Sequence, residues 1–358
     1  MKKLLAALLA ITLLLTLLAA CGNSGDTPPK SSVPASSEPV TPPDSPSPEP
    51  EESESVQPEP SPEPEESSEP EEETYTFEGP GIFEDVADVP ASYKEPAAQQ
   101  GTVEQVSYTY GDEEKYFLIY LPYGYEDSTE RYNVLYVSHG GGGGKPETFL
   151  KTDSNTALQN TIDNMIQNGE IEPFILVAPT WKTSSYTPSG TYDESTSMTL
   201  SFVMNELRQY VVAAVDANYR TNATREGRAF GGFSMGGVTT WFTFMHAMDS
   251  FKYFVPMSGD CWAVEQTGGA SKPAETAEAL ASSVTNQGYA GADFCVYAFT
   301  GGGDYALPNL APQIYAMQDH EMFEFGENAF FGLHPTATHG DPMARIYLYY
   351  VLPYLWNE

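Results

Sequence analysis

The sequence predicts an α/β domain with a mostly parallel central sheet and helices on both of its faces. Two observations lead to this fold class. Short aliphatic runs alternate with longer amphipathic patterns along residues 75–358, as in parallel strands joined by helical crossovers. Two Gly-rich stretches come directly after such runs, where ligand sites lie in sheets of this kind. We therefore expect the chemistry of the protein just after its strands.

The individual elements follow in chain order. Gly111 and Asp112 separate two runs at residues 103–110 and 116–121, which predicts a hairpin. The later strands are predicted at residues 134–137, 174–178, 228–233, 253–257, 294–300 and 328–331. The helices are predicted at residues 157–167, 198–215, 237–248, 273–284, 311–317 and 343–355. Strand and helix alternate strictly from residue 134 onward, so residues 75–358 are interpreted as one domain.

Residues 1–21 have the layout of a secretory signal. Two lysines precede an apolar or small stretch at residues 4–20, which ends in small residues before Cys21. The stretch 18–22 resembles a bacterial lipobox, which implies that Cys21 becomes the lipidated first residue of the mature protein. An uncleaved membrane anchor is the alternative, because the run nearly reaches the roughly 20 residues that span a bilayer. Either way, we expect the domain outside the cytoplasmic membrane, on the extracellular face of a bacterial cell.

Residues 22–74 consist almost entirely of Pro, Ser, Glu and Thr, with 15 acidic residues and one lysine. Such a segment cannot bury enough apolar surface to offset the entropy lost on ordering. We interpret it as a disordered linker that is extended by its prolines and like charges and tethers the domain. A binding motif for a partner is the alternative.

The chain of 358 residues has 50 acidic and 16 basic side chains, and a formal net charge of -34. The domain alone, residues 75–358, has 35 acidic and 13 basic residues. A surplus of this size argues against nucleic acid or anionic lipid as a partner, because phosphate groups would be repelled. The three cysteines cannot form a disulfide scaffold. The composition fits a secreted catalyst of neutral or acidic substrates.

Ser234 lies in the sequence Gly-Gly-Phe-Ser-Met-Gly-Gly, between a predicted strand and a predicted helix. In the pattern G-x-S-x-G, a tight strand-to-helix turn exposes the serine hydroxyl. Side chains at Gly232 and Gly236 would collide within that turn. The free N–H groups of the following helix favour negative charge near the serine. The alternative is a Gly-rich packing turn without chemistry.

Five consecutive glycines, residues 140–144, follow the predicted strand 134–137 and His139. Glycine allows a backbone N–H to approach a ligand closely. In a G-x-S-x-G site, such a loop supplies one oxyanion donor and the residue after the serine supplies the other. These donors would be the N–H of Gly140 or Gly141 and the N–H of Met235. A phosphate-binding loop is disfavoured, because Lys145 is not followed by Ser or Thr.

A serine nucleophile needs a base and an orienting acid, which follow it in the order acid, then histidine, in this architecture. We favour His339, in a loop before the last predicted helix, and keep His334 as the alternative base. We favour Asp304, after the strand 294–300, and keep Asp260, after the strand 253–257, as the alternative acid.

Several ordered stretches together resemble the esterase D-like superfamily, most closely the feruloyl and acetyl xylan esterases of carbohydrate esterase family 1. They are residues 121–125, 134–144, 216–221 and 231–237, and the resemblance covers most of residues 100–358. It implies an α/β-hydrolase fold, a Ser-His-Asp triad and no cofactor or metal. The family's histidine is commonly followed by an acidic or polar residue and Trp, whereas Gly340 and Asp341 follow His339 here.

Aromatic residues follow two of the predicted strands. Trp181 and Tyr186 come after the strand 174–178, and Trp262 comes after the strand 253–257. They could stack on a sugar or a phenolic ring, although packing in the core explains each of them equally well. Cys261 and Cys295 lie at opposite ends of neighbouring predicted strands, so we expect two free thiols.

The sequence thus predicts a serine carboxylic-ester hydrolase that removes feruloyl or acetyl groups from plant polysaccharide such as xylan through an acyl-enzyme. One alternative is a non-catalytic, carbohydrate-binding surface lipoprotein with a decayed hydrolase fold. Another is an acyltransferase or a small-ester hydrolase with the same triad. The expected partner is an acylated polysaccharide or oligosaccharide, and membrane contact is expected only through a lipid at Cys21. A monomer is expected.

Overall fold

The computed structural model describes residues 75–188 and 191–357. The predicted signal at residues 1–21, the predicted linker at residues 22–74 and the lipidation site Cys21 lie outside these residues. No helix in the described part of the chain is both long and apolar enough to cross a membrane.

The described residues form one nine-stranded sheet in the order β1-β9-β8-β7-β6-β4-β5-β3-β2. The strands are β1 (Ile82–Phe83), β2 (Thr102–Tyr110), β3 (Glu113–Leu121), β4 (Val134–Ser138), β5 (Ile175–Ala178), β6 (Arg228–Phe233), β7 (Tyr253–Met257), β8 (Cys295–Gly303) and β9 (Ala329–Thr338). The pairs β2–β3 and β3–β5 are antiparallel, and the other neighbouring strands are parallel. The predicted mostly parallel sheet is therefore confirmed.

Helices connect the strands and cover the sheet. They are α1 (Ala157–Gln167), α2 (Tyr192–Ser201), a π-helical segment (Phe202–Val212), α3 (Ala213–Asn218), α4 (Met235–His246), α5 (Gly268–Ser271), α6 (Pro273–Asn286), α7 (Leu307–Gln318) and α8 (Pro342–Val351). Short 3-10 turns occur at Ala91–Lys94, Pro146–Thr148, Gly291–Asp293 and Leu352–Tyr354. The Thr156 hydroxyl caps α1 by accepting from the Gln159 N–H, which explains where that helix begins.

Two hydrophobic clusters lie on opposite faces of the sheet. One contains apolar residues of α4, α6, α7 and the π-helical segment, and the other contains those of α1 and α8. In β4, Val134 and Tyr136 belong to the first cluster, whereas Leu135 and Val137 belong to the second. A strand that is buried on both faces has this continuous apolar sequence. Helices on both faces, as predicted, leave the strand ends as the accessible edges of the sheet.

Several predicted boundaries differ from the structure, among them the ends of two strands and the start of one helix. β8 and β9 continue to Gly303 and Thr338, which pair with each other. His334 therefore lies inside β9, and its predicted position after the last strand is wrong. The predicted helix at residues 198–215 begins earlier, because Thr191 and Glu194 form a capping box that starts α2. The predicted free thiols are confirmed, since neither Cys261 nor Cys295 is in a disulfide.

Candidate active site

Ser234 occupies the single-residue turn between β6 and α4. Its backbone is in a strained conformation, with φ 57° and ψ −118°. The turn is tight because the α4 start packs against the end of β4: a Cβ at Gly236 would clash with the Ser138 carbonyl oxygen, and a Cβ at Gly232 would clash with that of Gly236. Glycine is therefore needed at both positions, as the sequence predicted, and the turn presents the Ser234 side chain at the end of the strand.

A substitution tests how tightly this turn is packed. The added methyl group of Gly236→Ala would meet backbone atoms of β4, which cannot move aside as a side chain can. We expect a loss of about 2 kcal/mol or more in the free energy of unfolding, as for overpacked cores, together with a large loss of activity. Urea unfolding of the wild type and of Gly236→Ala measures the change in the free energy of unfolding. A variant as stable and as active as the wild type would contradict the packing described.

A chain of hydrogen bonds links Ser234 to an imidazole and then to a carboxylate. Nε2 of His339 is 2.9 Å from Ser234 Oγ, and Nδ1 of His339 is 2.7 Å from Asp304 Oδ1. A carboxylate can only accept, so Nδ1 donates to Asp304 and Nε2 accepts from the serine hydroxyl. Asp304 is buried, and its Oδ1 also accepts from the Ala306 N–H at 2.8 Å. The arrangement allows His339 to take the proton of Ser234 while Asp304 orients the ring.

The alternative base and acid are engaged in other hydrogen bonds. Nδ1 of His334 accepts from the N–H groups of Thr336 and Ala337, and its Nε2 is 3.7 Å from Asp88. The carboxylate of Asp260 is also occupied: it accepts from the Trp262 indole N–H at 2.8 Å and from the Gly269 N–H at 3.0 Å. The structure brings His339 and Asp304, but neither alternative, into line with Ser234.

The glycine loop, residues 140–144, passes directly beside the serine. A Cβ at Gly140 would be 3.3 Å from the Ser234 Cβ, and a Cβ at Gly141 would be 3.2 Å from the Met235 Cγ. Within the described parts of the chain, no hydrogen-bond acceptor is used by the N–H of Gly140, Gly141 or Met235. These unpaired donors around one serine hydroxyl are suited to binding a developing oxyanion.

Ser234 opens into a cavity of about 660 Å³, and besides the neighbouring Phe233 four aromatic residues line its wall. They are Tyr186, Tyr192, Trp262 and Tyr305. Tyr192 and Trp262 meet edge to face, with ring centroids 5.6 Å apart. Tyr305, which is 68% exposed, stacks on His339 with a centroid distance of 4.0 Å. The cavity therefore offers ring faces next to the hydroxyl that would react.

Two of the predicted substrate residues line this cavity and one does not. Tyr186 and Trp262 are in its wall, but Trp181 is only 1% exposed and its indole N–H donates to the His139 carbonyl oxygen. The prediction that Trp181 contacts substrate is wrong, because the chain turns that side chain into the core as it leaves β5. Tyr192 and Tyr305 were missed. The position of Tyr305, next to Asp304 at a strand end, was a usable signal.

Asp341 lies in the cavity wall near His339. Burial raises the pKa of the Asp341 carboxyl, while the nearby His339 and Lys182 oppose that rise. Among residues 75–188 and 191–357, no group of three or more His, Cys, Asp or Glu side chains is placed to hold a metal ion. The hydrogen-bonded series Ser234, His339 and Asp304 is suited to nucleophilic attack with proton transfer.

Comparison with known proteins shows the family. Residues 109–319 match the model of the Esterase family, described as "Putative esterase". The chain is 35% identical over 274 residues to endo-1,4-beta-xylanase Y of Acetivibrio thermocellus, across 75% of this chain and 24% of that protein. It is 32% identical over 152 residues to an endo-1,4-beta-xylanase/feruloyl esterase of Xylanibacter ruminicola, across 41% of this chain and 20% of that protein. The chain thus spans about a quarter or less of the length of these two relatives.

Solved structures share the fold. A serine-to-alanine mutant of the feruloyl esterase module from Clostridium thermocellum, complexed with sinapinate, is 33% identical with a TM-score of 0.65, covering 80% of this chain and 96% of that one. A ferulic acid esterase from Anaeromyces mucronatus in complex with ferulic acid is 18% identical with a TM-score of 0.58, covering 75% and 96%. The second likeness, at this identity, concerns the fold alone.

Proposed function

Because this chain belongs to the Esterase family, we propose that it is a serine carboxylic-ester hydrolase that releases feruloyl groups from plant cell-wall polysaccharide such as xylan. One observation carries the proposal: the hydrogen-bonded series Ser234, His339 and Asp304 lies at an aromatic cavity, beside unpaired backbone N–H groups. The feruloyl esterase module of 33% identity and its sinapinate complex support the choice of acyl group.

In the proposed mechanism, Ser234 Oγ attacks the ester carbonyl carbon as His339 Nε2 takes the hydroxyl proton. The N–H of Met235 and that of Gly140 or Gly141 bind the oxyanion of the tetrahedral intermediate. His339 then gives the proton to the departing sugar oxygen, which leaves the acyl group on Ser234. A water molecule, deprotonated by His339, hydrolyses the acyl-enzyme. Asp304 holds the imidazole and stabilises its charged form throughout.

The proposed acyl specificity follows from the cavity wall. A feruloyl group presents a flat, neutral phenolic ring, and such rings pack well against aromatic faces. A volume of about 660 Å³ is within the range of sites that bind small molecules. An acetyl group would leave most of this aromatic surface without a contact. The cavity therefore favours an aromatic acyl group over acetyl.

Trp262 provides a test of this specificity. We expect Trp262→Leu to raise KM for methyl ferulate about fivefold, since one aromatic contact of this kind contributes about 1 kcal/mol. KM for p-nitrophenyl acetate is expected to change little, because an acetyl group has no ring to stack on the indole. Steady-state kinetics on both esters measure the two effects.

Trp262→Phe is the matched control, since it keeps a ring while removing the N–H that Asp260 accepts. The Phe variant should retain most of the preference for the ferulate ester. If Trp262→Leu raised KM equally for both esters, Trp262 would maintain the structure of the site and would not bind the acyl group.

Product analysis on feruloylated arabinoxylan tests the proposed function itself. Chromatography of the reaction should show free ferulate appearing faster than free acetate. Transfer of the acyl group to an added sugar alcohol would instead indicate an acyltransferase. Failure to cleave any acyl ester would leave the carbohydrate-binding alternative as the explanation of the fold.

We further propose that Cys21 carries a lipid that holds the esterase on the extracellular face of the bacterial membrane, as a monomer on the linker of residues 22–74. The sequence around Cys21 supports this proposal. Cells that express the full chain should incorporate radiolabelled palmitate into the protein, and Cys21→Ser should abolish that labelling. Labelling that persists in the variant would contradict the proposed attachment site.

A further inference from the structure

The five glycines beside Ser234 have no side chains with which to hold their own shape. Glycine also has more backbone freedom than any other residue, so an unsupported run of five would sample many conformations. The loop makes one turn of its own, in which the Gly144 N–H donates to the Gly141 carbonyl oxygen at 2.9 Å. Any further order must come from neighbouring side chains. His139 and three consecutive residues after β5, Thr180 to Lys182, supply these contacts.

Trp181 fixes the first peptide plane of the loop. Its buried indole N–H donates to the His139 carbonyl oxygen at 3.0 Å. In a trans peptide, that carbonyl and the N–H of Gly140 point in opposite directions. Holding the His139 oxygen on the side of the indole therefore aims the Gly140 N–H away from it. Trp181 does not line the cavity, whereas Gly140 does.

His139 fixes the second plane. Its Nδ1 is 2.8 Å from the Gly140 carbonyl oxygen, and its Nε2 is 2.9 Å from Thr180 Oγ1. A carbonyl can only accept, so Nδ1 carries the proton and Nε2 accepts from the threonine hydroxyl. Burial lowers the pKa of His139 to about 3, so the ring stays neutral and keeps this tautomer near neutral pH. The same peptide geometry then orients the Gly141 N–H.

Lys182 holds the far side of the loop. Its ammonium group donates to the Gly142 carbonyl oxygen at 2.8 Å and also to that of Gly144. It lies 4.3 Å from the centre of the Tyr186 ring, a cation–π distance. Lys182 does not line the cavity either. Four carbonyl groups between residues 139 and 144 are thus held by side chains from outside the cavity.

We propose that Thr180, Trp181 and Lys182, together with His139, are positioning residues that fix the peptide planes of the glycine loop, so that its N–H groups face the oxyanion. This inference rests on the proposed serine esterase function. It also gives Trp181 a role other than substrate contact. The contacts described above join Trp181, His139 and Lys182 to carbonyl groups of residues 139–144. Thr180 acts one step further away, through the His139 ring, and none of these contacts is made to Ser234.

The test removes single contacts and compares turnover with binding. Trp181→Phe keeps a buried ring without the N–H, Thr180→Val keeps the shape without the hydroxyl, and Lys182→Met keeps the length without the charge. One oxyanion donor is worth about 100-fold or more in kcat, so a misaligned donor should cost each variant about tenfold or more. KM for methyl ferulate should stay within a few-fold. An aryl boronic acid, which forms a tetrahedral adduct on the serine, should bind more weakly by the same factor as kcat falls.

Matched controls separate this loss from general damage. Trp356→Phe makes the same exchange at a residue that packs on Phe174 and Tyr253. Lys145→Met removes an exposed lysine at the end of the same loop. Both controls should keep the kcat of the wild type. A kcat unchanged in Trp181→Phe, Thr180→Val and Lys182→Met would overturn the proposal, as would losses that appear only in KM.

The pH profile provides a readout that a merely structural role would not move. Burial lowers the pKa of Lys182 to about 8, and the carboxylate of Asp341 partly opposes this shift. The other ionisable groups close to its ammonium are the neutral His139 and the phenol of Tyr186. Below about pH 8 the ammonium is charged and holds both carbonyls. Above it the charge is lost, so kcat should fall.

Lys182→Arg should restore activity relative to Lys182→Met and should move the alkaline loss of kcat to higher pH, because a guanidinium stays charged. A pH profile of kcat that is identical in the wild type and in Lys182→Arg would contradict the role of the lysine charge.

Failure of the proposed function and failure of this inference can be told apart. A wild type that hydrolyses no ester refutes the proposed function, whereas an active wild type with Ser234→Ala inactive and the loop variants at full activity refutes only this inference.

Discussion

Ser234→Ala is expected to lower kcat for ester hydrolysis about a million-fold, to the level that binding and the oxyanion donors give without a nucleophile. The reason is geometric: the Ser234 hydroxyl is the one that donates to His339 Nε2, at 2.9 Å, beside the unpaired N–H groups of the glycine loop. Removing it leaves the imidazole without a proton to take and the ester without an attacking atom. Initial rates on p-nitrophenyl acetate and methyl ferulate measure the loss.

Only the substitution of Ser234 should cause this loss, and it should affect turnover and not binding. Ser195 also lines the cavity, so Ser195→Ala removes the same hydroxyl group from the cavity wall. The kcat of this variant should remain within a few-fold of that of the wild type. Ser234→Ala should still bind ferulate, measured by calorimetry, because the aromatic wall is intact. Activity above a hundredth of the wild type in Ser234→Ala would contradict its assignment as nucleophile.

Asp304→Asn is expected to lower kcat about ten-thousand-fold, as when an amide replaces the acid of such a triad. The carboxylate keeps the imidazole proton on Nδ1 and stabilises the imidazolium that forms when Ser234 attacks. A neutral amide of the same shape does neither. The amide NH2 can also face Nδ1, and the ring proton then lies on Nε2. A protonated Nε2 cannot accept the hydrogen bond from the serine hydroxyl. Stopped assays over several hours measure a rate this low.

Asp260→Asn distinguishes the two candidate acids. Asp260 accepts from Trp262 and Gly269 and makes no hydrogen bond to His339. Its amide variant should lose less than about tenfold in kcat, well short of the effect of losing a triad acid. The loss should appear mainly in KM for aromatic esters, because Asp260 anchors the Trp262 ring. The reverse order of effects would make Asp260 the acid.

The central strands were the most predictable part of the fold. The predicted bounds of β6 and β7 match the structure, because strands buried on both faces are unbroken apolar runs between polar loops. The end of β9 was not predictable from local sequence. Its last residues are strand only because they pair with β8, and Gly301 lets the two backbones approach closely there. Such long-range pairing leaves no periodic signal in the sequence itself.

The chemistry of the site was visible in the sequence because it lies at strand ends in a fixed order. Ser234, Asp304 and His339 follow β6, β8 and β9, and the parallel sheet brings those three ends together. No such rule predicts where the side chain of an aromatic residue in a loop points. Trp181 and Trp262 both follow strands, yet one is buried under the glycine loop and the other faces the cavity. The path of each loop decides this, and it is a tertiary property.

Trapping the acyl-enzyme would identify the nucleophile of this protein. The wild-type protein is mixed with p-nitrophenyl ferulate, the release of nitrophenolate is followed on the millisecond scale, and the quenched protein is mapped by mass spectrometry. We predict a burst of one nitrophenolate per protein molecule and a feruloyl group on the peptide that contains Ser234. Turnover without a burst and with no acyl group on Ser234, or a feruloyl group on a different residue, would contradict the account.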